Sequence, residues 1–121
     1  MTTIITPPDY YHNSQFKVLI LNPTAEEKQI YSDFIKSELA PDLSIYLYDN
    51  QDQIDWLLNV IRIVDAAYIN VDNSKDLSYY YISYLVSQPN VTWNSDKLDY
   101  SILNREKVRT IDEFIQRFRL V

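Results

Sequence analysis

Five short segments of the chain carry the hydrophobic pattern of β-strands. "FKVLIL" (16–21) is apolar on nearly both faces, as a central parallel strand is, whereas "LSIYLYD" (43–49) alternates and is more typical of a strand nearer a sheet edge. "AAYINVD" (66–72) is a third apolar run, and shorter runs lie around 91–93 and at "KVRT" (107–110). We therefore predict five strands at these positions.

Between the first two predicted strands the apolar residues follow helical spacing. Thr24 followed by Glu27 forms a capping box, and Pro41 stops the pattern. The predicted apolar stripe of this helix consists of Ile30, Tyr31, Phe34, Ile35 and Leu39.

Three more helices are predicted further along the chain. Asn50 followed by Gln53 suggests a capped start for the second, whose buried side would carry Ile54, Leu57, Leu58, Ile61 and Val64. The third helix covers about 76–87, and the last begins after Thr110.

The regular alternation of strand and helix predicts an α/β fold. Strands joined by helices pair in parallel with right-handed crossovers. We expect a flavodoxin-like three-layer sandwich, with a parallel sheet of four to five strands in the order 2-1-3-4-5 and helices on both faces. Residues 16–121 are predicted to form this single domain.

Residues 1–15 are polar, contain Pro7 and Pro8, and show no period. They are predicted to be an extended N-terminal arm. It is either a mobile terminus or a segment that docks on a neighbour through Tyr10 and Tyr11.

Composition excludes several kinds of function. The chain has no Cys and a single His, His12, so thiolate or multi-histidine metal sites and cysteine catalysis are excluded. The net charge of −6 disfavours binding to nucleic acid or to an anionic membrane surface. No membrane-spanning run and no signal peptide is visible, so we expect a cytoplasmic protein, or a virion component if the chain is phage-encoded.

Glycine is absent from the chain of 121 residues. The phosphate-binding loops of nucleotide-binding folds need glycine for close backbone approach, so those loops are excluded. Turns with positive φ fall to Asn or Asp instead. The abundance of Tyr, Asn and Ile also suits an AT-rich genome, such as that of many phages.

Polar side chains follow the predicted strands, where ligands bind in open parallel sheets. They are Asn22, Asp49, Asn50, Asn70, Asp72, Asn73, Asn94 and Asp96. The alternative is that they only cap helices and make turns. Asp49, Asp72 and Asp76 are candidate metal ligands, but nothing pairs them with the Lys and Thr of acidic phosphotransfer sites, so we expect no metal and no cofactor.

Two segments carry a resemblance to a known family. "QIDWLLNVIRIVDAAYINVD" (53–72) and "SYYYISYLVSQPNVTW" (78–93) resemble the nucleoside 2-deoxyribosyltransferase-like superfamily of small flavodoxin-like proteins. The family patterns are Q-x-x-W-E, A-D before the third strand, and E-[LI]-G-Y-A. The matching residues are Gln53, Trp56, Asp65, Ile82 and Tyr84, and the resemblance spans about residues 16–93.

The chain departs from the family at its acidic positions. Leu57 stands where the resemblance implies an acid, Tyr81 where it implies the nucleophilic Glu, and Ser83 where it implies Gly; "LNPT" replaces a Gly-bearing loop. Family chemistry uses a carboxylate at the anomeric carbon of a nucleoside, and a phenol of pKa ~10 is a poor substitute. Tyr81 therefore serves packing, with ligand stacking or activated-tyrosine catalysis as alternatives.

The leading hypothesis is a catalytically degenerate domain that acts as a protein-binding or assembly component. Tyrosine suits protein interfaces, and the chain has 11. Candidate interface residues are Tyr10, Tyr11, Tyr79 and Tyr80. Candidate ligand-binding residues are Asn22, Asp49, Gln53, Trp56, Asp72, Asn73 and Tyr81.

Two alternatives to this hypothesis remain. One is an active enzyme that cleaves or exchanges the N-glycosidic bond of nucleosides or nucleotides. The other is a non-catalytic nucleotide-binding regulator. The leading hypothesis expects aromatic bulk in the vacated active site, and two rim carboxylates converging on a nucleoside-sized cleft would contradict it.

Overall fold

The structure, a computed structural model, describes residues 2–9, 16–36, 43–49, 52–95, 111 and 113–115. Several predictions lie outside these residues: Tyr10, Tyr11, His12, Leu39, Pro41, Asn50, Asp96, the strand at 107–110 and the helix start at Thr110.

The described residues form one five-stranded sheet. In chain order its strands are β1 (Thr2–Ile5), β2 (Phe16–Leu21), β3 (Leu43–Tyr48), β4 (Ala66–Asn70) and β5 (Val91–Asn94). The order across the sheet is β1-β3-β2-β4-β5, and every neighbouring pair is parallel.

Helices cover both faces of this sheet, which confirms the predicted α/β flavodoxin-like architecture. On one face α2 (Ile54–Ile63) and α3 (Tyr79–Val86) pack against apolar side chains of the strands. On the other face α1 (Ala25–Lys36) and the helical residues 113–115 enclose a second apolar cluster, in which Tyr68 and Phe114 contact each other.

The first four predicted strands correspond to β2, β3, β4 and β5, and they lie in the predicted order. The difference is β1, an additional strand beside β3. Residues 2–5, which we expected in an extended arm, pair with the outer side of β3, with Ile4 opposite Ile45. Strand β3 is therefore one strand in from the edge, and Leu47 is its only residue that is not fully buried. The boundary between arm and domain at residue 15 stays a prediction.

The capping box at the start of α1 is confirmed by its two reciprocal hydrogen bonds. The Thr24 backbone N–H donates to Glu27 Oε1 at 2.9 Å, and the Glu27 N–H donates to Thr24 Oγ1 at 3.2 Å. At α2 the structure differs from the predicted capped start. Gln53 is itself the N-cap residue, and its side chain makes no capping hydrogen bond.

None of the helices in the described part of the chain is both long and apolar enough to span a membrane.

Candidate functional site

The sheet changes winding direction between β2 and β4, and their carboxyl ends define the place where a parallel sheet usually binds ligands. Asn22 follows β2 there, is fully buried, and has a φ of 51°. Its backbone N–H donates to the Tyr48 carbonyl at 2.6 Å, and its side-chain amide donates to Ser74 Oγ at 3.1 Å and to Asp76 Oδ1 at 2.9 Å.

A second amide ties the same two loops together. Asn73 Nδ2 donates to the carbonyls of Asn22 and Pro23 at 2.8 and 3.2 Å. The Asn73 N–H donates to Asn70 Oδ1 at 2.9 Å, and the Ser74 hydroxyl donates to the Asn70 carbonyl at 2.6 Å. The loops that follow β2 and β4 therefore hold each other through their own polar groups.

Glu27 supplies a carboxylate at this point that the sequence predicted only as a cap. Its Oε1 accepts from Asn70 Nδ2 at 2.8 Å, and its Oε2 accepts from the Tyr68 hydroxyl. A helix N-terminus attracts anions, and here Glu27 already occupies the first turn of α1. A phosphate bound from outside would have to compete with this carboxylate.

An open space at this end of the sheet lies beside the switch point, on the α2 and α3 face. It is a cleft of about 390 Å³ between the end of β3, the start of α2 and the segment that leads into α3. Its lining residues are Tyr48, Asp52, Ile54, Asp76, Leu77, Ser78 and Tyr81.

Two carboxylates and two phenols face this cleft. Partial burial raises the pKa of Asp76, the hydrogen bonds from its own N–H and from Asn22 oppose that shift, and the nearby charge of Asp49 adds to it. Burial likewise raises the pKa of Tyr48, the Gln53 N–H opposes this, and the charges of Asp76 and Asp52 reinforce it. Both carboxylates therefore act electrostatically on the same phenol.

This arrangement departs from the expectation of a space filled by aromatic bulk. Tyr81 does line the cleft, at the position where the resemblance implies a nucleophile, but it leaves the cleft open. Asp76 was a candidate from the sequence. Asp52 was missed because it lies beyond the end of β3, past the strand-end positions where ligand-binding residues are expected.

Two of the predicted ligand-binding residues lie at the margin of the cleft without lining it. The Gln53 N–H donates to the Tyr48 hydroxyl at 3.4 Å, while its side chain is exposed. The Trp56 indole is buried against the Tyr48 ring, with centroids 6.2 Å apart, and its Nε1–H donates to the Asp9 carbonyl at 2.7 Å. Trp56 thus anchors the N-terminal segment.

The predicted aspartates Asp49 and Asp72 do not line the cleft and have partners of their own. Asp49 forms an ion pair with Lys28 at 2.6 Å, and Asp72 accepts from the Ser95 hydroxyl at 2.6 Å. Asp72 and Asn73 line a second cavity of about 210 Å³, together with Thr24, Asn70, Lys75 and Asn94. Within the described ranges, no three acidic or histidine side chains are grouped to hold a metal ion.

The two candidate interface residues that the structure describes lie at the start of α3. Tyr79 is 54% exposed and Tyr80 is 75% exposed, and the Tyr80 ring meets the Tyr81 ring edge-on at 5.5 Å. Beside them is a groove of about 230 Å³, which we call the α2–α3 groove, lined by Leu58, Arg62, Tyr80, Tyr81 and Tyr84. Tyr81 therefore lines both the groove and the cleft.

Comparisons with protein-family models, with curated proteins and with solved structures find no match to this chain.

Proposed function

We propose that this domain is a catalytically degenerate relative of the nucleoside deoxyribosyltransferase-like proteins and acts by binding a protein partner. The observation that carries the proposal is the exposure of Tyr79 and Tyr80, 54% and 75%, side by side on α3. Adjacent exposed aromatic rings are characteristic of interface centres, because a tyrosine buries a large area at little entropic cost.

The surface around these rings extends the contact. Tyr80, Tyr81 and Tyr84 form an aromatic wall of the α2–α3 groove, and Leu58 and Arg62 form the other. This groove offers aromatic rings, an aliphatic side chain and one guanidinium group. Such a surface is better suited to bind a segment of a partner protein than a flat polar surface is.

Two positions support the loss of catalysis. Tyr81 is a phenol at the position where the resemblance implies the nucleophilic Glu. Leu57, at the other acidic position, is fully buried in the apolar cluster under α2, where an acid would be costly. We place this binding function in the cytoplasm of the cell that makes the protein, or in a virion if the chain is phage-encoded.

The experiment compares the Tyr79→Ala/Tyr80→Ala double variant with Ile4→Ala, which removes a 47% exposed side chain from β1, far from α3 in the sequence. Light scattering after size exclusion measures self-association, and quantitative pull-down measures capture of other proteins. The double variant should lose self-association or the captured partner, while Ile4→Ala keeps it. A wild-type monomer that captures nothing, or a double variant with unchanged partners, would refute the proposal.

The second candidate function is cleavage or exchange of an N-glycosidic bond. It is favoured by one observation, which also counts against the proposal of a degenerate domain: Asp52 and Asp76 line the same cleft as Tyr81. A carboxylate next to the anomeric carbon stabilises an oxocarbenium-like transition state. Asp76 is the better of the two, because Asn22 holds its Oδ1 in place at 2.9 Å.

This candidate is tested by incubating the protein with deoxynucleosides and separating free base by chromatography. Base release that disappears in Asp76→Asn and persists in Asp55→Asn, an exposed neighbour on α2, would support it. Absence of release across the pH range would exclude it. A nucleotide-binding regulator is less well supported, because the carboxylates of the cleft repel phosphate.

A further inference from the structure

We propose that the cleft between the end of β3 and the start of α3 binds an organic cation, a small molecule that carries a primary ammonium or guanidinium group. This site is separate from the exposed tyrosine pair of the proposed function, although Tyr81 borders both surfaces.

The charge of the cleft is the first step. Its described ionisable lining consists of Asp52, Asp76 and the two phenols Tyr48 and Tyr81, with no basic side chain among them. Three basic residues of the described chain lie at other sites: Lys28 is paired with Asp49, Lys75 lines the second cavity, and Arg62 lines the α2–α3 groove. An entering ligand therefore meets negative charge that these basic residues do not neutralise.

The cost of desolvation separates a cation from a neutral ligand. A neutral molecule that fills the cleft removes water from two carboxylates and leaves them without a counter-charge, which is unfavourable. Asp52 and Asp76 are both exposed to solvent, so a ligand that covers them displaces water from both carboxylates. An ammonium or guanidinium group replaces the lost water with charge-assisted hydrogen bonds, and an anion adds repulsion instead.

The walls of the cleft fit the rest of such a ligand. Tyr81 contributes an aromatic ring, which attracts cations, and Ile54 and Leu77 contribute apolar surface for a hydrocarbon portion. A volume of about 390 Å³ lies at the small end of ligand pockets. A compact amine of one ring or a short chain therefore matches the site in charge, polarity and size.

The experiment uses a matched pair of probes, phenethylamine and 2-phenylethanol, which share a ring and differ in the ammonium group. Binding is measured by calorimetry and by amide chemical shifts in ¹⁵N-labelled protein. The amine should bind about tenfold more tightly than the alcohol, as expected for a contact with a charged group. The shifts should centre on Leu77, Ser78 and Tyr81, and the affinity should fall as salt is added.

Asp52→Asn and Asp76→Asn should each weaken amine binding about tenfold, and Asp55→Asn should not. If an isosteric variant fails to fold, the probe pair and the shift map on the wild-type protein still decide. Equal binding of the two probes, no binding of the amine, or shifts confined to Arg62 and Tyr84 would overturn the proposal. Tighter binding of deoxyadenosine than of the amine would overturn it too and return the cleft to a nucleoside. The amine measurements do not depend on the exposed tyrosines Tyr79 and Tyr80. A failure of the proposed partner-binding function would therefore leave this test of the cleft unchanged.

Discussion

The side-chain amide of Asn70 donates a hydrogen bond of 2.8 Å to Glu27 Oε1 and so joins the end of β4 to the first turn of α1. The same carboxylate accepts from the Thr24 N–H and from the Tyr68 hydroxyl. One side chain thus caps a helix and fixes two positions on a neighbouring strand, where an open parallel sheet would usually receive its ligand.

Glu27→Ala should destabilise the protein by about 2–3 kcal/mol, because it removes the cap and leaves the Tyr68 and Asn70 donors without this acceptor. Urea unfolding gives the free energy. Glu26→Ala is the matched control: Glu26 lies in the same helical turn, but its side chain is exposed, so the change should stay within about 0.5 kcal/mol. If the two variants lost the same free energy of unfolding, the contacts of Glu27 with the strand would contribute nothing to stability.

Asn22 combines a left-handed backbone with two side-chain hydrogen bonds, and two substitutions separate these contributions. Asn22→Gly keeps the backbone conformation and removes the amide, whereas Asn22→Ala also places a Cβ in the left-handed region. We expect both to destabilise, with Ala worse than Gly by about 1 kcal/mol. Unfolding midpoints in urea provide the test. An alanine variant as stable as the glycine variant would show that a β-carbon costs no stability in the left-handed backbone at this position.

The raised pKa of Asp76 predicts a pH dependence of stability. Because burial raises this pKa above the ordinary 3.8, the folded state favours the protonated carboxyl more than the unfolded state does. The resulting stabilisation is complete below 3.8 and is lost as pH rises through the folded-state value. Asp76→Asn should therefore gain stability relative to wild type as pH rises from below 3.8 toward neutral pH.

Urea titrations of both proteins across that range supply the measurement. Asp55→Asn, which changes an exposed carboxylate of α2, corrects for the general loss of negative charge. A difference between wild type and Asp76→Asn that stays flat, or that narrows toward neutral pH, would show that burial does not dominate the environment of this carboxyl.

The N-terminal segment is predicted to shield Trp56. The Trp56 indole is only 1% exposed and donates to the Asp9 carbonyl at 2.7 Å. With Trp93→Phe as background, Trp56 is the only remaining one of 2 tryptophans. Deleting residues 1–9 should then shift its emission to longer wavelength and increase quenching by acrylamide. Asp9→Ala keeps the carbonyl and should change neither, so a deletion without a spectral shift would contradict this packing.

The parts of the fold that local patterns specify were predictable. The capping box of Thr24 and Glu27 forms as the spacing requires, and the alternation of strands and helices leads to parallel pairing. Strand β1 was not predictable in the same way. The four residues Thr2–Ile5 are too short to show a period, and they become a strand only because β3 offers them an edge.

The candidate site was predictable in outline and not in its partners. Asn22, Asp76 and Tyr81 do meet at the same end of the sheet, since they follow parallel strands. The second role of Glu27 depends on Tyr68 and Asn70, which lie more than 40 residues away in the chain. That Asp52 lines the same cleft as Asp76 depends on the packing of separate segments, which no local sequence pattern encodes.

The left-handed turn at Asn22 has a consequence for the denatured chain as well. Average composition would give a chain of this length about eight glycines. Here even the positive-φ residue among those described carries a β-carbon, and the Gly count is 0. Every position of the unfolded polypeptide is therefore sterically restricted, so that folding gives up less backbone freedom than it would in a glycine-containing relative.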